Sequence, residues 1–136
     1  MNKNTIITIC IIFFTAFIIF LACIPKILKD FEIKANNVVK NNCKTIVQDL
    51  ISIKDTKMLN PKAKEYVEKY NEIYKNPITN KESAFTTDKK CIGCVSVDYD
   101  EGTKSLNVTG YDKNFEILCR TIVKPPSYVT YEREEK

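Results

Sequence analysis

The stretch "FLACIPKILKDFEIKANNVVKN", residues 20–41, decides the fold, because it joins an uncharged apolar run to a charged segment with helical periodicity. Three interpretations are open. Cys23 can be the lipidated residue of a cleaved lipoprotein, the apolar run can be a membrane anchor that ends here, or both parts can belong to one long helix. The residues on either side distinguish these interpretations.

The run that leads into this stretch has the length and composition of a transmembrane helix. Residues 4–25 contain no charged side chain, and thirteen of the nineteen residues at 6–24 are Ile, Leu or Phe. At about −0.3 to −0.6 kcal/mol each, these side chains favour the membrane by about 4–8 kcal/mol. A helix of this length rises about 28 Å, close to the hydrocarbon thickness of about 30 Å. Residues 1–24 are therefore predicted to form the transmembrane half of an N-terminal helix.

Beyond Pro25 the apolar residues recur at intervals of three and four, which is typical of one stripe of an amphipathic helix. We expect this stripe to pack on a soluble domain. Pro25 cannot donate a hydrogen bond to the carbonyl of Leu21, which predicts a kink at the membrane exit but no break. One helix from about residue 5 to residue 52 is the simplest interpretation. The predicted packing stripe consists of Leu28, Phe31, Ala35, Val39, Ile46 and Leu50, with Cys43 on the same side.

The rest of the chain predicts a short helix and a small sheet. A helix is expected to begin at Asn60-Pro61 and to end near residue 75. Alternating apolar residues then predict three antiparallel strands, written "CIGCVSVDY", "SLNVTG" and "FEILCRTIV". Residues 78–90 are expected to form a loop, and residues 124–136 an extended or disordered tail. The predicted fold class is α+β: one long helix packed on a three-stranded antiparallel sheet, with the domain at residues 25–123.

Several motifs resemble type IV pilins and the pseudopilins of type II secretion. The resemblance covers about 100 residues and lies in "ACIPKILKDFEIKANNVVKNNCKTIVQDLISI" (22–53), "NPIT" (76–79), "IGCVSVDYD" (92–100) and "SLNVTGYDKNFEI" (105–117). It implies a pilin-like fold and a structural subunit that contacts other pilin-like subunits through its N-terminal helix. The N-terminus is atypical. With Pro25 placed on the family's proline, Lys3 and Thr8 stand where a prepilin has its processing-site glycine and its glutamate.

Charge and cysteine content bear on partners and on orientation. The 21 Lys and Arg residues are interleaved with 17 Asp and Glu residues, which is typical of a solvated surface and disfavours a nucleic-acid partner. Basic residues at 26, 29 and 34 favour a cytoplasmic C-terminal domain by the positive-inside rule. Four cysteines outside the apolar run favour an oxidising exterior instead. We expect an extracytoplasmic domain anchored in membrane lipid.

The cysteines outside the apolar run are Cys43, Cys91, Cys94 and Cys119. They are disulfide candidates, and the sequence does not select among the three possible pairings. A four-thiolate zinc site is an alternative. Redox catalysis by "CIGC" is disfavoured, because this pair leads into a strand, whereas a thioredoxin-type pair opens a helix.

The sequence contains no histidine, no glycine-rich phosphate loop and no serine in a nucleophile elbow. We therefore expect no catalytic residue, no cofactor, no metal and no small-molecule substrate. The predicted function is that of a membrane-anchored, pilin-like subunit or accessory of a type IV pilus or a type II secretion-like filament. The alternatives are a surface binding module lipidated at Cys23 and an inward-facing single-pass membrane protein.

Overall fold

The computed structural model describes residues 2–87, 89–125 and 127–133. It divides into two compact units, Met1–Lys34 and Ala35–Lys136, which are described separately. The helices are α1 (Lys3–Leu50), a 3-10 turn (Thr56–Met58) and α2 (Leu59–Ile73). The strands are β1 (Phe85–Thr86), β2 (Val95–Asp100), β3 (Ser105–Tyr111), β4 (Ile117–Lys124) and β5 (Ser127–Glu132).

The N-terminal helix is continuous through the stretch that joins the apolar run to the charged segment. Pro25 lies inside α1. A proline inside a helix lacks the N–H for one backbone hydrogen bond, and the remaining bonds keep this long helix continuous. The predicted single helix is confirmed, although it ends two residues earlier than expected. The kink at Pro25 stays a prediction.

The second unit contains a five-stranded mixed sheet with the order β1-β2-β3-β4-β5. The three expected strands correspond to β2, β3 and β4, which pair antiparallel. The prediction of a three-stranded, purely antiparallel sheet is wrong, because β1 pairs parallel to β2 and β5 is added beside β4. The sheet class is therefore mixed, within an α+β fold.

Strand β1 lies in the segment that was expected to be a loop, and a side chain on α2 holds it in place. The amide of Asn71 accepts a hydrogen bond from the Phe85 N–H and donates one to the Phe85 carbonyl, both at 2.9 Å. The Phe85 ring is 1% exposed and contacts the rings of Tyr70 and Tyr74, with centroids 5.3 and 6.0 Å away. Two residues are too few to show a strand period, so β1 depends on these tertiary contacts.

Strand β5 lies in the segment that was expected to be a tail. It pairs with β4 from Lys124 opposite Ser127 to Cys119 opposite Glu132. An ion pair of 3.3 Å between Lys44 on α1 and Glu132 supports it. The remaining residues of the predicted tail, 126 and 134–136, lie outside the described residues.

The core of the second unit forms where the last turns of α1 meet one face of the sheet. The register places Val97 beside Val108 and Val108 beside Thr121, so that alternate residues of three strands share this face. Helix α2 packs against β1, β2 and β3 and contributes its buried side chains to the same core. The buried apolar residues of the two helices are Val39, Cys43, Ile46, Val47, Leu50, Leu59, Ala63, Val67 and Tyr70.

A hydrogen bond from α2 to α1 fixes the two helices of the second unit against each other. The Tyr70 hydroxyl donates to the Asp49 carboxylate at 2.6 Å. Burial, followed by this bond, raises the pKa of Tyr70 above its ordinary value. The folded state therefore keeps a proton that the unfolded chain releases above about pH 10, so stability falls as the pH rises beyond that point.

Replacing Tyr70 with phenylalanine is expected to lower the free energy of unfolding by about 1–2 kcal/mol at neutral pH, because a bond to a charged acceptor is lost. The variant is also expected to lose less stability than wild type between pH 9 and pH 11. Urea unfolding at several pH values measures both effects. Tyr66→Phe, on the same helix, is the matched control. An unchanged pH profile in Tyr70→Phe would contradict the role given to this hydroxyl.

Candidate functional site

The first unit presents an apolar helix surface that nothing within the unit covers. Its side chains are large and exposed; the exposed fraction reaches 73% at Phe13 and 68% at Phe14. Among the described residues, α1 is the helix that is long and apolar enough to cross a membrane, and its apolar window is wholly unburied. Exposed apolar surface of this extent favours a lipid or protein environment over water.

Two threonine hydroxyls of this segment are hydrogen-bonded within the helix. The hydroxyls of Thr8 and Thr15 donate to the carbonyls of Asn4 and Ile11, at 2.9 and 2.8 Å. In hydrocarbon an unpaired hydroxyl is costly, and back-bonding to the preceding turn removes that cost. The segment is thus compatible with lipid around its whole circumference.

Of the residues predicted to form the packing stripe, the structure brings three into the core and leaves two exposed. Val39, Ile46 and Leu50 are fully buried in the second unit. Leu28 and Phe31, in the first unit, are 63% and 66% exposed. Ala35 is partly exposed. The exposed apolar residues on the N-terminal side of the stripe are available to a partner.

Helix α1 approaches the sheet very closely at Gly110 of β3. A Cβ atom on this residue would lie 2.8 Å from the Val39 Cγ1 atom and 2.8 Å from the Cys119 Sγ atom. Both distances are far shorter than a carbon contact allows, so glycine is required for the helix to sit here. A glycine inside a strand pattern is a known signal of close backbone approach, and this one could have been recognised from the sequence.

Cys43 on α1 and Cys119 on β4 meet beside this glycine. Both thiols are buried, with exposed fractions of 2% and 6%. The hydrogen bond between them, followed by burial, raises the pKa of Cys43 far above its ordinary value. The same hydrogen bond lowers the pKa of Cys119. The Cys119 sulfur is therefore the better site for the negative charge of a thiolate.

Cys91 and Cys94 form the other pair. They lie at disulfide distance, with Cα atoms 5.5 Å apart, immediately before β2. Both are buried and pack with Tyr111 in a small cluster. Gly93 between them has a φ of 68°, a backbone angle that residues with a side chain rarely adopt. The structure therefore holds this pair in a tight turn.

The loop before β1 depends on Asn76, part of the "NPIT" motif. Its amide donates to the carbonyls of Ser83 and Ile92, at 3.2 and 2.7 Å. Its carbonyl oxygen accepts from the backbone N–H groups of Ile78 and Thr79, at 2.9 and 3.0 Å. Asn76 is 4% exposed. One side chain therefore joins three segments of the chain, and the motif has a structural role.

The four candidate cysteines are thus brought together as two separate pairs. Among the residues that the structure describes, no group of three or more metal-ligating side chains occurs. The site consists of an exposed apolar helix surface in the first unit and a set of packing contacts in the second. The pairs are Cys43 with Cys119 and Cys91 with Cys94.

The outer face of the sheet near β5 is a surface that the sequence pattern did not reveal. The side chains of Ile117, Arg120, Ile122 and Tyr131 line a shallow groove here. Arg133 and Glu116 form an ion pair at one end of it. The sequence predicts a tail at residues 124–136, so it predicts no strand beside β4 that would complete this surface.

No protein-family model, no curated protein and no solved structure matches the chain. The structure shows a long apolar N-terminal helix whose last turns pack on a small sheet. This layout is loosely pilin-like.

Proposed function

We propose that this protein is a single-pass, membrane-anchored structural subunit of the pilin-like type, with its sheet domain outside the cytoplasm. It would serve as a minor pilin, a pseudopilin or an accessory of a type IV pilus or a type II secretion-like filament. Its partners would be membrane lipid and other pilin-like subunits.

The single observation that carries the proposal is the two-part character of α1. One helix contains a fully exposed apolar segment, long enough for a bilayer, and a second part that supplies the core of a small domain. Such a helix gives a subunit both an anchor and a rod for lateral contact. The exposed Leu28 and Phe31 extend the apolar surface beyond Pro25, where a neighbouring helix could cover them.

A minor or accessory role fits the N-terminus better than a major filament subunit. Lys3 and Thr8 stand where the resemblance places a processing glycine and a charged glutamate. Without that glutamate, a subunit lacks the carboxylate that could pair with the N-terminal amine of a neighbour in low-dielectric surroundings. Helix packing and domain contacts would then supply the association.

Photocrosslinking tests association through α1. A benzophenone amino acid replaces Phe31, and the matched control carries it at Lys64, which is exposed on α2. Irradiation of intact cells is expected to link Phe31 variants to other single-pass apolar helices, including further copies of this chain. Lys64 variants are expected to give few such products. Adducts to lipid alone at position 31, or equal products at both positions, would contradict the proposal.

The mass of the mature chain separates the proposal from the lipoprotein alternative. Cys23 is exposed on the helix surface, so the residue is not blocked by packing. Retention of residues 6–24 in the protein isolated from membranes supports the anchor. A chain that begins at Cys23 and carries a diacylglycerol would establish the lipid-anchored binding module instead.

A further inference from the structure

The strongest unexplained feature of the second unit is the pair of buried thiols between α1 and the sheet. Cys43 and Cys119 are 76 positions apart in the chain, yet their sulfur atoms approach the same glycine, Gly110. Unpaired buried cysteines usually act as small apolar residues with no thiol partner. Two buried cysteines that meet where a helix packs on a sheet therefore need a further explanation.

Three side-chain atoms surround Gly110, and they define the space in which the two sulfurs lie. A Cβ atom on Gly110 would lie 2.8 Å from the Cys119 Sγ atom and 3.8 Å from the Cys43 Sγ atom. The two sulfur atoms therefore approach one point from two different elements. Val39, one turn before Cys43 on α1, fixes the helix against the same glycine, 2.8 Å from that point. The backbone on both sides is held by regular structure, so the meeting of the thiols is built into the fold.

We propose that Cys43 and Cys119 are joined by a second disulfide in the mature protein, which fastens α1 covalently to β4. The Cys91–Cys94 bond closes a local turn, whereas this bond would join the anchor helix to the sheet. It would close a loop that contains α2, β1, β2 and β3. The bond goes beyond the proposed function, and it draws on that function only for the oxidising compartment.

The chemistry requires an oxidant of the disulfide class, such as a thiol oxidase of the cell envelope or oxidised glutathione. The Cys119 thiolate attacks one sulfur of that disulfide, forms a mixed disulfide and releases the first reduced thiol. The Cys43 thiol loses its proton to solvent, attacks the Cys119 sulfur and expels the second reduced thiol. Two protein thiols are oxidised and one disulfide is reduced to two thiols, so atoms and electrons balance.

The timing of this reaction follows from burial. At 2% and 6% exposure, neither sulfur is open to an oxidant in the folded domain. The mixed disulfide must therefore form while the last turns of α1 are not yet docked on the sheet. Docking brings Cys43 onto Cys119 and completes the bond. Once formed, the bond is covered, and reductants that act on exposed disulfides reach it slowly.

Peptide mapping of the full-length protein tests the bond. Intact cells are lysed in detergent and urea with N-ethylmaleimide present and no reductant, so that buried free thiols are alkylated as well, and a protease digest is analysed by mass spectrometry. We expect the Cys43 peptide linked to the Cys119 peptide, and the Cys91–Cys94 peptide closed on itself. Alkylation of Cys43 and Cys119 in a chain whose Cys91–Cys94 bond is intact would overturn the proposal.

A second measurement covers the case in which all four thiols are alkylated. That result would place the domain in a reducing compartment and contradict the proposed orientation. The purified protein, unfolded and then refolded with oxidised glutathione in detergent, must still form the Cys43–Cys119 link. Refolded protein with free thiols at both positions would overturn the disulfide whatever the orientation.

Alanine variants of the two cysteines distinguish the stability that the proposed Cys43–Cys119 disulfide gives from the stability that packing of the two side chains gives. Cys43→Ala with Cys119→Ala is expected to melt roughly 10–20 °C below wild type without reductant, because a long closed loop is opened. After reduction, wild type and variant are expected to differ by far less. Cys10→Ala with Cys23→Ala, which changes two exposed cysteines outside the domain, is the matched control. Equal differences with and without reductant would show that packing alone is lost.

Discussion

Replacing Phe13 and Phe17 with lysine is expected to release the protein from the membrane. Both side chains lie on the exposed apolar surface of α1, at 73% and 58% exposure. At the centre of a bilayer, lysine costs about 2.5–3.5 kcal/mol, whereas phenylalanine contributes about −0.3 to −0.6 kcal/mol. The two changes together therefore cost about 6–8 kcal/mol, which cancels the estimated preference of this segment for the membrane.

The measurement is extraction of membranes with alkaline carbonate, followed by detection of the protein in the pellet and in the supernatant. Wild type is expected in the pellet and the double variant in the supernatant or degraded. Phe31→Lys with Phe115→Lys makes the same chemical change at two exposed phenylalanines outside the apolar run and is expected to stay in the pellet. Membrane retention of the Phe13 and Phe17 variant would show that another feature anchors the chain.

Replacing Asn76 with alanine is the second change with a large expected effect. Four hydrogen bonds meet at this buried amide, which joins the segments around Ser83, Ile92 and Ile78. Alanine removes the partner that this amide gives to two carbonyls and two N–H groups, in a site that is tightly packed around Gly93. We expect the free energy of unfolding to fall by about 3–5 kcal/mol, because each unsatisfied buried group costs about 1–3 kcal/mol and solvent recovers part of the loss.

Urea unfolding of the detergent-solubilised protein, followed by circular dichroism, measures this loss. Asn80→Ala is the matched control, since Asn80 is exposed in the same loop, and a change within about 0.5 kcal/mol is expected there. Hydrogen exchange is expected to rise first in residues 83–86 of the Asn76 variant. A loss below about 1 kcal/mol would mean that the loop is held by its apolar contacts instead.

The elements with a clear hydrophobic period were predictable from the sequence. The continuous α1, α2 and strands β2 to β4 each show several repeats of their period, and the structure contains all of them. The start of α2 differs slightly from the prediction of a helix that begins at Asn60-Pro61. The helix begins at Leu59, and no side chain caps it. The two-residue shift arises at a helix end, where local turns compete with the helix.

The missing strands have no such period. Strand β1 has two residues, and its position depends on Asn71, which lies fourteen residues earlier in the chain. Strand β5 follows two prolines, which favoured a tail, and it lies at the sheet edge, where apolar and polar residues need not alternate. Its formation depends on the backbone of β4, information that a local pattern does not contain.

Cysteine pairing was also beyond the local pattern. The Cys91 and Cys94 pair is close in sequence, but nothing in its spacing requires a bond between the two. The meeting of Cys43 with Cys119 results from the close packing of α1 on the sheet, for which Gly110 leaves the space. These are properties of packing, which sequence period alone cannot give.

The amide of Asn71 has a consequence for the way this domain could add to other chains. Because this amide bonds both backbone groups of Phe85, a strand from another chain has no free backbone groups to pair with at Phe85, on the β1 edge of the sheet. Strand β5, at the opposite margin, is paired with β4 alone among the residues that the structure describes. Any lateral addition to the sheet is therefore one-sided, and two copies that pair through their β5 strands would use up both open edges and end as a closed two-fold dimer.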